Sequence, residues 1–213
     1  MVNKRDIEAN PSKISTIMNM KPPKNIYDLQ VLTGRVVALN RFMLKSAEKC
    51  LSFFKALRKT NKFEWNEQCQ QSFDQLKTYL TSPPLLTRPN TGETLYLYLS
   101  VSQEAVSAIL IREEEKVQKP VYYVSRVLLD AETCYQELEK VAYALVISAR
   151  KLRPYFQAHS IKVLTNVPLR QVLHKPDVSG RLVKWAVELG EFDIEYKPRP
   201  AIKAQVLADF IIE

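Results

Sequence analysis

The chain has 213 residues, 46% hydrophobic and 25% charged, which suits one domain of ordinary size plus a small companion and excludes a disordered chain. Its four glycines, at 34, 92, 180 and 190, cannot form a glycine-rich phosphate loop, and its three cysteines and two histidines fall in no paired metal-ligand spacing. The net charge of +8 is uneven: residues 1–62 hold 13 Lys+Arg against 4 Asp+Glu, and residues 63–213 hold 18 against 19. A compact segment this basic suits a phosphate backbone as a partner, or else presents a solvated face. No apolar run approaches about 18 residues and the N-terminus lacks a signal-peptide core, so a soluble protein with reduced thiols is expected. That places it inside the cell, without distinguishing cytoplasm from nucleus.

In chain order, Asn10-Pro11 predicts a capped first helix bearing Ile14, Ile17 and Met18, ended by Pro22-Pro23. Asn25 caps a second, with Asp28 as a short form of the capping box. There Leu29, Leu32, Val36, Leu39 and Met43 make one apolar stripe, while Arg35, Arg41, Lys45 and Lys49 lie off it and face elsewhere. A third helix carries Cys50, Phe53, Phe54 and Leu57, with Arg58-Lys59 suited to its dipole. A boundary is expected over 60–63. Asn66 then opens a helix with Cys69, Phe73, Leu76 and Leu80 on one side, stopped by Ser82-Pro83-Pro84.

The remainder alternates as strands do. Leu95–Ser102 is a first strand, Ala105–Glu113 a second and Pro120–Leu128 a third, with a charged hairpin tip at Glu113–Lys116 that discourages edge pairing. A long helix is predicted over Tyr135–Phe156, a fourth strand over Ser160–Thr165 and short helices over Leu169–Leu173 and Arg181–Leu189. A fifth strand at Phe192–Tyr196 and a terminal helix at Lys203–Ile211 complete the order. Tyr96, Tyr98, Tyr122 and Tyr123 fit sheet packing better than base stacking, and Trp65 and Trp185 read as core anchors.

These residues carry a resemblance. Phe63, Trp65, Cys69, Phe73, Leu76 and Lys77, followed by Pro83-Pro84-Leu85-Leu86, resemble the entry to the RNase H-like region of gypsy-type LTR retrotransposon Pol polyproteins. Upstream, Ile7–Asn10, Pro22-Pro23, Leu29-Gln30, Gly34 and Asn40-Arg41-Phe42 resemble the thumb of that family's reverse transcriptase. Downstream, Val121–Ser125, Glu139-Lys140, Arg153–Phe156, Ser179–Leu182, Lys184-Trp185 and Ala208–Phe210 resemble a plant lineage of these elements. The resemblance implies an α/β fold, an RNase H-like five-stranded mixed sheet with flanking helices over 63–213, preceded by a small helical thumb-like segment over 1–62.

It also implies where a nuclease site belongs. The family's four carboxylates fall at Ser100, Glu139, Asn166 and Asp209, so two of the four are replaced by neutral side chains. Two-metal chemistry needs anionic oxygens between the ions, and serine and asparagine do not supply them. No intact catalytic set and no cofactor are therefore expected; Glu139 and Asp209 would hold at most one weak Mg²⁺. The palm's Tyr-x-Asp-Asp element is absent from these residues, so the chain is expected to start after the palm and to end before a further RNase H or integrase part.

Three readings stay open. In the first, the chain is a non-catalytic reverse transcriptase fragment that holds or spaces RNA/DNA hybrid between polymerase and nuclease, with Arg35, Arg41, Lys45 and Lys49 on phosphates. The second is a weakly active Mg-dependent RNase H. The third is a remnant protein-interaction module.

Overall fold

The computed structural model describes residues 6–58, 63–173 and 180–199. Five strands build the central sheet: β3 (Leu95–Val101), β4 (Ala105–Glu114), β5 (Val117–Val127), β6 (Ile161–Leu164) and β7 (Ile194–Lys197). Their spatial order is β5-β4-β3-β6-β7, antiparallel from β5 to β3 and parallel from β3 to β7. The β4–β5 corner turns on Glu115 and Lys116, both in the left-handed region with φ of 51° and 65°, as a two-residue hairpin that follows strand twist requires. A ribbon that the sequence patterns did not predict, β1 (Asp6–Ile7) with β2 (Leu86–Thr87), ties the N-terminal segment to the loop before the sheet.

Helices cover both faces. Before the sheet come α1 (Pro11–Met18), α2 (Ile26–Leu39), a 3-10 turn (Asn40–Phe42), α3 (Ser46–Lys49), α4 (Leu51–Arg58) and α5 (Glu67–Leu80). Within and after it come α6 (Asp130–Thr133), α7 (Glu137–Lys151), α8 (Arg153–Ala158), α9 (Leu169–Leu173) and α10 (Gly180–Leu189). The predicted caps form: Asn10 accepts the Ser12 N–H at 2.9 Å, Asn25 that of Asp28 at 2.8 Å, and Asn66 that of Cys69 at 2.9 Å. The long helix expected over Tyr135–Phe156 breaks at Leu152, because Pro154 withdraws a backbone donor and is accommodated in the first turn of a new helix, α8. The helix expected over Lys203–Ile211 lies outside the described residues.

Alternation along the strands sends side chains to two cores. Leu95, Leu97 and Leu99, with Val106, Ala108 and Leu110, pack under α7 and α10. Tyr98, Ile109, Ile111, Tyr123 and Leu164 point the other way, into one cluster with Leu29, Leu32, Phe53 and Phe73. A sheet buried on both faces needs a helical layer on each. Here the basic N-terminal segment and α5 together supply the second layer. The division expected at 62/63 therefore does not separate two cores; residues from both sides share one.

Polar contacts follow the same seam. The Ser125 hydroxyl accepts the Ala47 N–H at 3.0 Å, and Lys55 pairs with Glu104 at 2.6 Å. The Tyr79 hydroxyl donates to the Phe42 carbonyl at 3.0 Å. Tyr98 and Tyr123 are buried in the packing, as their alternation predicts.

Candidate functional site

β3 and β6 lie side by side and run parallel, from the pairing of Leu95 with Ile161 to that of Tyr98 with Leu164, so both chains leave the sheet at the same end. Carboxyl ends of parallel strands are where α/β sheets open a crevice. A cleft of about 200 Å³ lies there, and its polar lining is Ser100, Glu137, Thr165, Asn166 and Arg199. Thr165 closes a tight turn, its hydroxyl accepting the Val167 N–H at 3.0 Å, and so presents Asn166 at the mouth.

Ser100 and Asn166, two positions named from the sequence, are thus brought together. Glu139 is not with them. Its carboxylate turns back to the Gln136 N–H at 3.3 Å and lies 4.0 Å from Arg181 on α10. About half a turn of helix explains the difference. Glu137 and Val141 share the α7 face that lines the cleft, whereas Glu139 shares its face with Tyr143, which stacks on Trp185. Of these two glutamates it is Glu137 that lines the cleft. Asp209 lies outside the described residues.

Arg199 was not singled out from the sequence. Its backbone N–H donates to Asn166 Oδ1 at 3.1 Å and its Nη2 to the Leu99 carbonyl at 3.0 Å. Its Nε is buried without an acceptor among the described residues. Burial holds the guanidinium below the ordinary arginine value, and the neighbouring Tyr98 partly offsets this. The only sequence signal is Pro198 before it and Pro200 after it, which bias this segment to extended backbone.

This donor set does not fit a divalent metal ion. Mg²⁺ selects hard anionic oxygens, and among the described residues the cleft offers one carboxylate, an amide, two hydroxyls and a cation. Among the described residues no group of three or more His, Cys, Asp or Glu converges anywhere.

The four basic residues named for phosphate contact are dispersed, because α2 ends at Leu39 and only Arg35 lies on it. Arg35 donates to the Thr16 carbonyl at 3.0 Å. The Arg41 guanidinium sits 4.9 Å from the Tyr122 ring centre, on a groove of about 290 Å³ that Arg126 and Lys151 also line. Lys45, expected to face outward, is buried: it adopts a left-handed turn with φ of 47° and sits 3.9 Å from Glu48. Lys49 lies 4.0 Å over the Tyr79 ring.

The sheet order and flanking helices define the fold as RNase H-like, and residues 65–163 match the family model described as an RNase H-like domain found in reverse transcriptase. Over most of its length the chain is similar to retrotransposon Pol polyproteins. It is 28% identical over 216 residues to the retrovirus-related Pol polyprotein from transposon opus of Drosophila melanogaster, covering 95% of this chain and 21% of that protein. It is 27% identical over 202 residues to the transposon Tf2-3 polyprotein of Schizosaccharomyces pombe, covering 92% of this chain and 15% of that one. The chain thus spans about a fifth or less of the length of these relatives.

Among solved structures, a foamy viral protease-reverse transcriptase in complex with dsDNA superimposes with a TM-score of 0.74 at 16% identity, over 92% of this chain and 43% of that one. The same enzyme in complex with RNA/DNA hybrid gives 0.73 at 16%, over 91% and 27%. Residues 65–163 are thus similar to the RNase H-like domain found in reverse transcriptase, within a chain that is similar over most of its length to retroelement Pol polyproteins. No helix of the described residues is long and apolar enough to cross a membrane.

Proposed function

We propose that this chain is a non-catalytic portion of a retrotransposon reverse transcriptase, of the gypsy type and a plant lineage, that holds or spaces RNA/DNA hybrid between polymerase and nuclease parts of Pol. The observation that carries the reading is the cleft at the ends of β3 and β6, where Ser100 and Asn166 stand and Arg199 supplies a positive charge. With one carboxylate, one guanidinium and otherwise neutral groups among its described residues, the cleft lacks the anionic oxygens that two divalent ions need. The basic excess before residue 63 supports a phosphate partner, and two structural neighbours are complexes with dsDNA and RNA/DNA hybrid. Backbone contacts fall to Arg35 and Arg41, with Lys45 and Lys49 contributing charge from within the packing. The palm and a downstream RNase H or integrase part are the other partners.

The test uses the full chain with a labelled RNA/DNA hybrid. Anisotropy should report binding that about two phosphate contacts would weaken roughly tenfold between about 50 and about 200 mM salt. Incubation with Mg²⁺ or Mn²⁺ should leave the RNA strand intact. Cleavage that disappears in Glu139→Gln overturns the reading in favour of a weak RNase H. Absence of salt-sensitive binding overturns it in favour of an interaction module.

A further inference from the structure

Arg199 reaches across two strands to the cleft wall. Its backbone is fixed by Asn166 at the end of β6, and its guanidinium is fixed 3.0 Å from the Leu99 carbonyl on β3, 100 residues earlier in the chain. Among the described residues, the others that line the same space are neutral except for Glu137 on α7. We infer that Arg199 is the resident cation of this cleft, an internal arginine that replaces a metal ion and keeps divalent ions out even when the two acidic positions are restored.

The physical case rests on charge and geometry. A guanidinium is a fixed, planar cation whose fork matches a carboxylate. Aspartate placed at position 100 or 166 would line the cavity that already holds that fork, so its charge would be neutralised by Arg199 before any ion arrived. Burial already disfavours the charged guanidinium, and a new carboxylate relieves that penalty. Restored acids should therefore stabilise the arginine instead of creating a metal site. The inference concerns the cleft alone and does not depend on whether the chain binds hybrid.

The experiment compares Mn²⁺ binding, read as loss of the free-ion electron paramagnetic resonance signal. The chains are the parent, Ser100→Asp/Asn166→Asp, and the same double variant with Arg199→Gln. The double variant should retain no more Mn²⁺ than the parent, and adding Arg199→Gln should tighten binding by about tenfold or more, as expected for removing a like charge from a cleft. Thermal melts supply a second readout: Arg199→Gln should lower Tm more in the double variant than in the parent, because only there does it remove an ion pair. Equal Mn²⁺ binding with and without Arg199, or equal Tm changes in the two backgrounds, overturns the inference. The same thermal coupling is measured with Asn166→Asp alone, which keeps the inference refutable if the larger variants do not fold.

Discussion

Tyr143 illustrates how much one side chain can organise. Its ring stacks on Trp185 at 5.2 Å between centres, and its hydroxyl bridges Arg126 and Glu132, which also pair directly at 3.0 Å. Burial, then the Glu132 hydrogen bond, pushes its phenol up to about 12. Tyr143→Phe keeps the stack and removes two hydrogen bonds to charged groups, while the direct Arg126–Glu132 pair remains. It should destabilise by about 1.5 kcal/mol, seen as a lower urea midpoint at unchanged slope. The cysteines offer a second prediction at this scale. Cys50 and Cys69 are buried and Cys134 is exposed, and burial pushes the Cys50 thiol up to about 12. A disulfide reagent at neutral pH should titrate Cys134 rapidly in the native protein and reach the other two only in denaturant. The limits of sequence reading also lie here. Ser100 and Asn166 were recognised by alignment to a family pattern, whereas Arg199 was not, because its partner Leu99 is 100 residues away and no local pattern encodes that approach.

Elements were more legible than single contacts. Period-two alternation found all five strands of the sheet, asparagine caps with apolar stripes found α1, α2 and α5, and apolar spacing alone found α4, since each signal is local and repeats within a few residues. The β1–β2 ribbon, two residues on each side, is too short to repeat anything. Likewise Lys45 was placed on the wrong side because the stripe of α2 was extended through a 3-10 turn that resets the helical phase. One inter-element contact carries a pH prediction. Arg150 on α7 grips Glu188 on α10 through two hydrogen bonds of 2.7 Å, which holds the Glu188 carboxyl below its ordinary value of 4.5. A lowered carboxyl contributes stability above its unfolded pKa and loses it as pH falls through the folded one. The pair is half exposed, so Arg150→Ala should lower stability by at most about 1 kcal/mol at neutral pH. That difference should vanish in acid, below the carboxylate range, when melts are compared across pH.

At the scale of the whole molecule, the two tryptophans report on opposite faces of one sheet. Trp65 lies against Phe53 and Phe73 in the layer shared by the N-terminal segment and α5, and Trp185 packs on Tyr143 under the other face. Because the strands are common to both cores, loss of either layer exposes the sheet. Single-tryptophan variants, Trp65→Phe and Trp185→Phe, should unfold with coincident midpoints after allowance for their own stabilities, each following the same transition by circular dichroism. Phe53→Ala, which empties a fully buried position, should destabilise by about 3–5 kcal/mol and should lower both fluorescence transitions together.

The shared core also decides where the polypeptide can be cut. Sequence similarity to the RNase H-like family begins at residue 65, which invites a truncation there. Such a fragment would turn Tyr98, Ile109, Ile111, Tyr123 and Leu164 toward water as one oily wall. It should precipitate or self-associate on expression, while the chain beginning before β1 stays monodisperse. The smallest piece of this chain that can live alone in solution is thus longer, on its N-terminal side, than the piece that matches the family model.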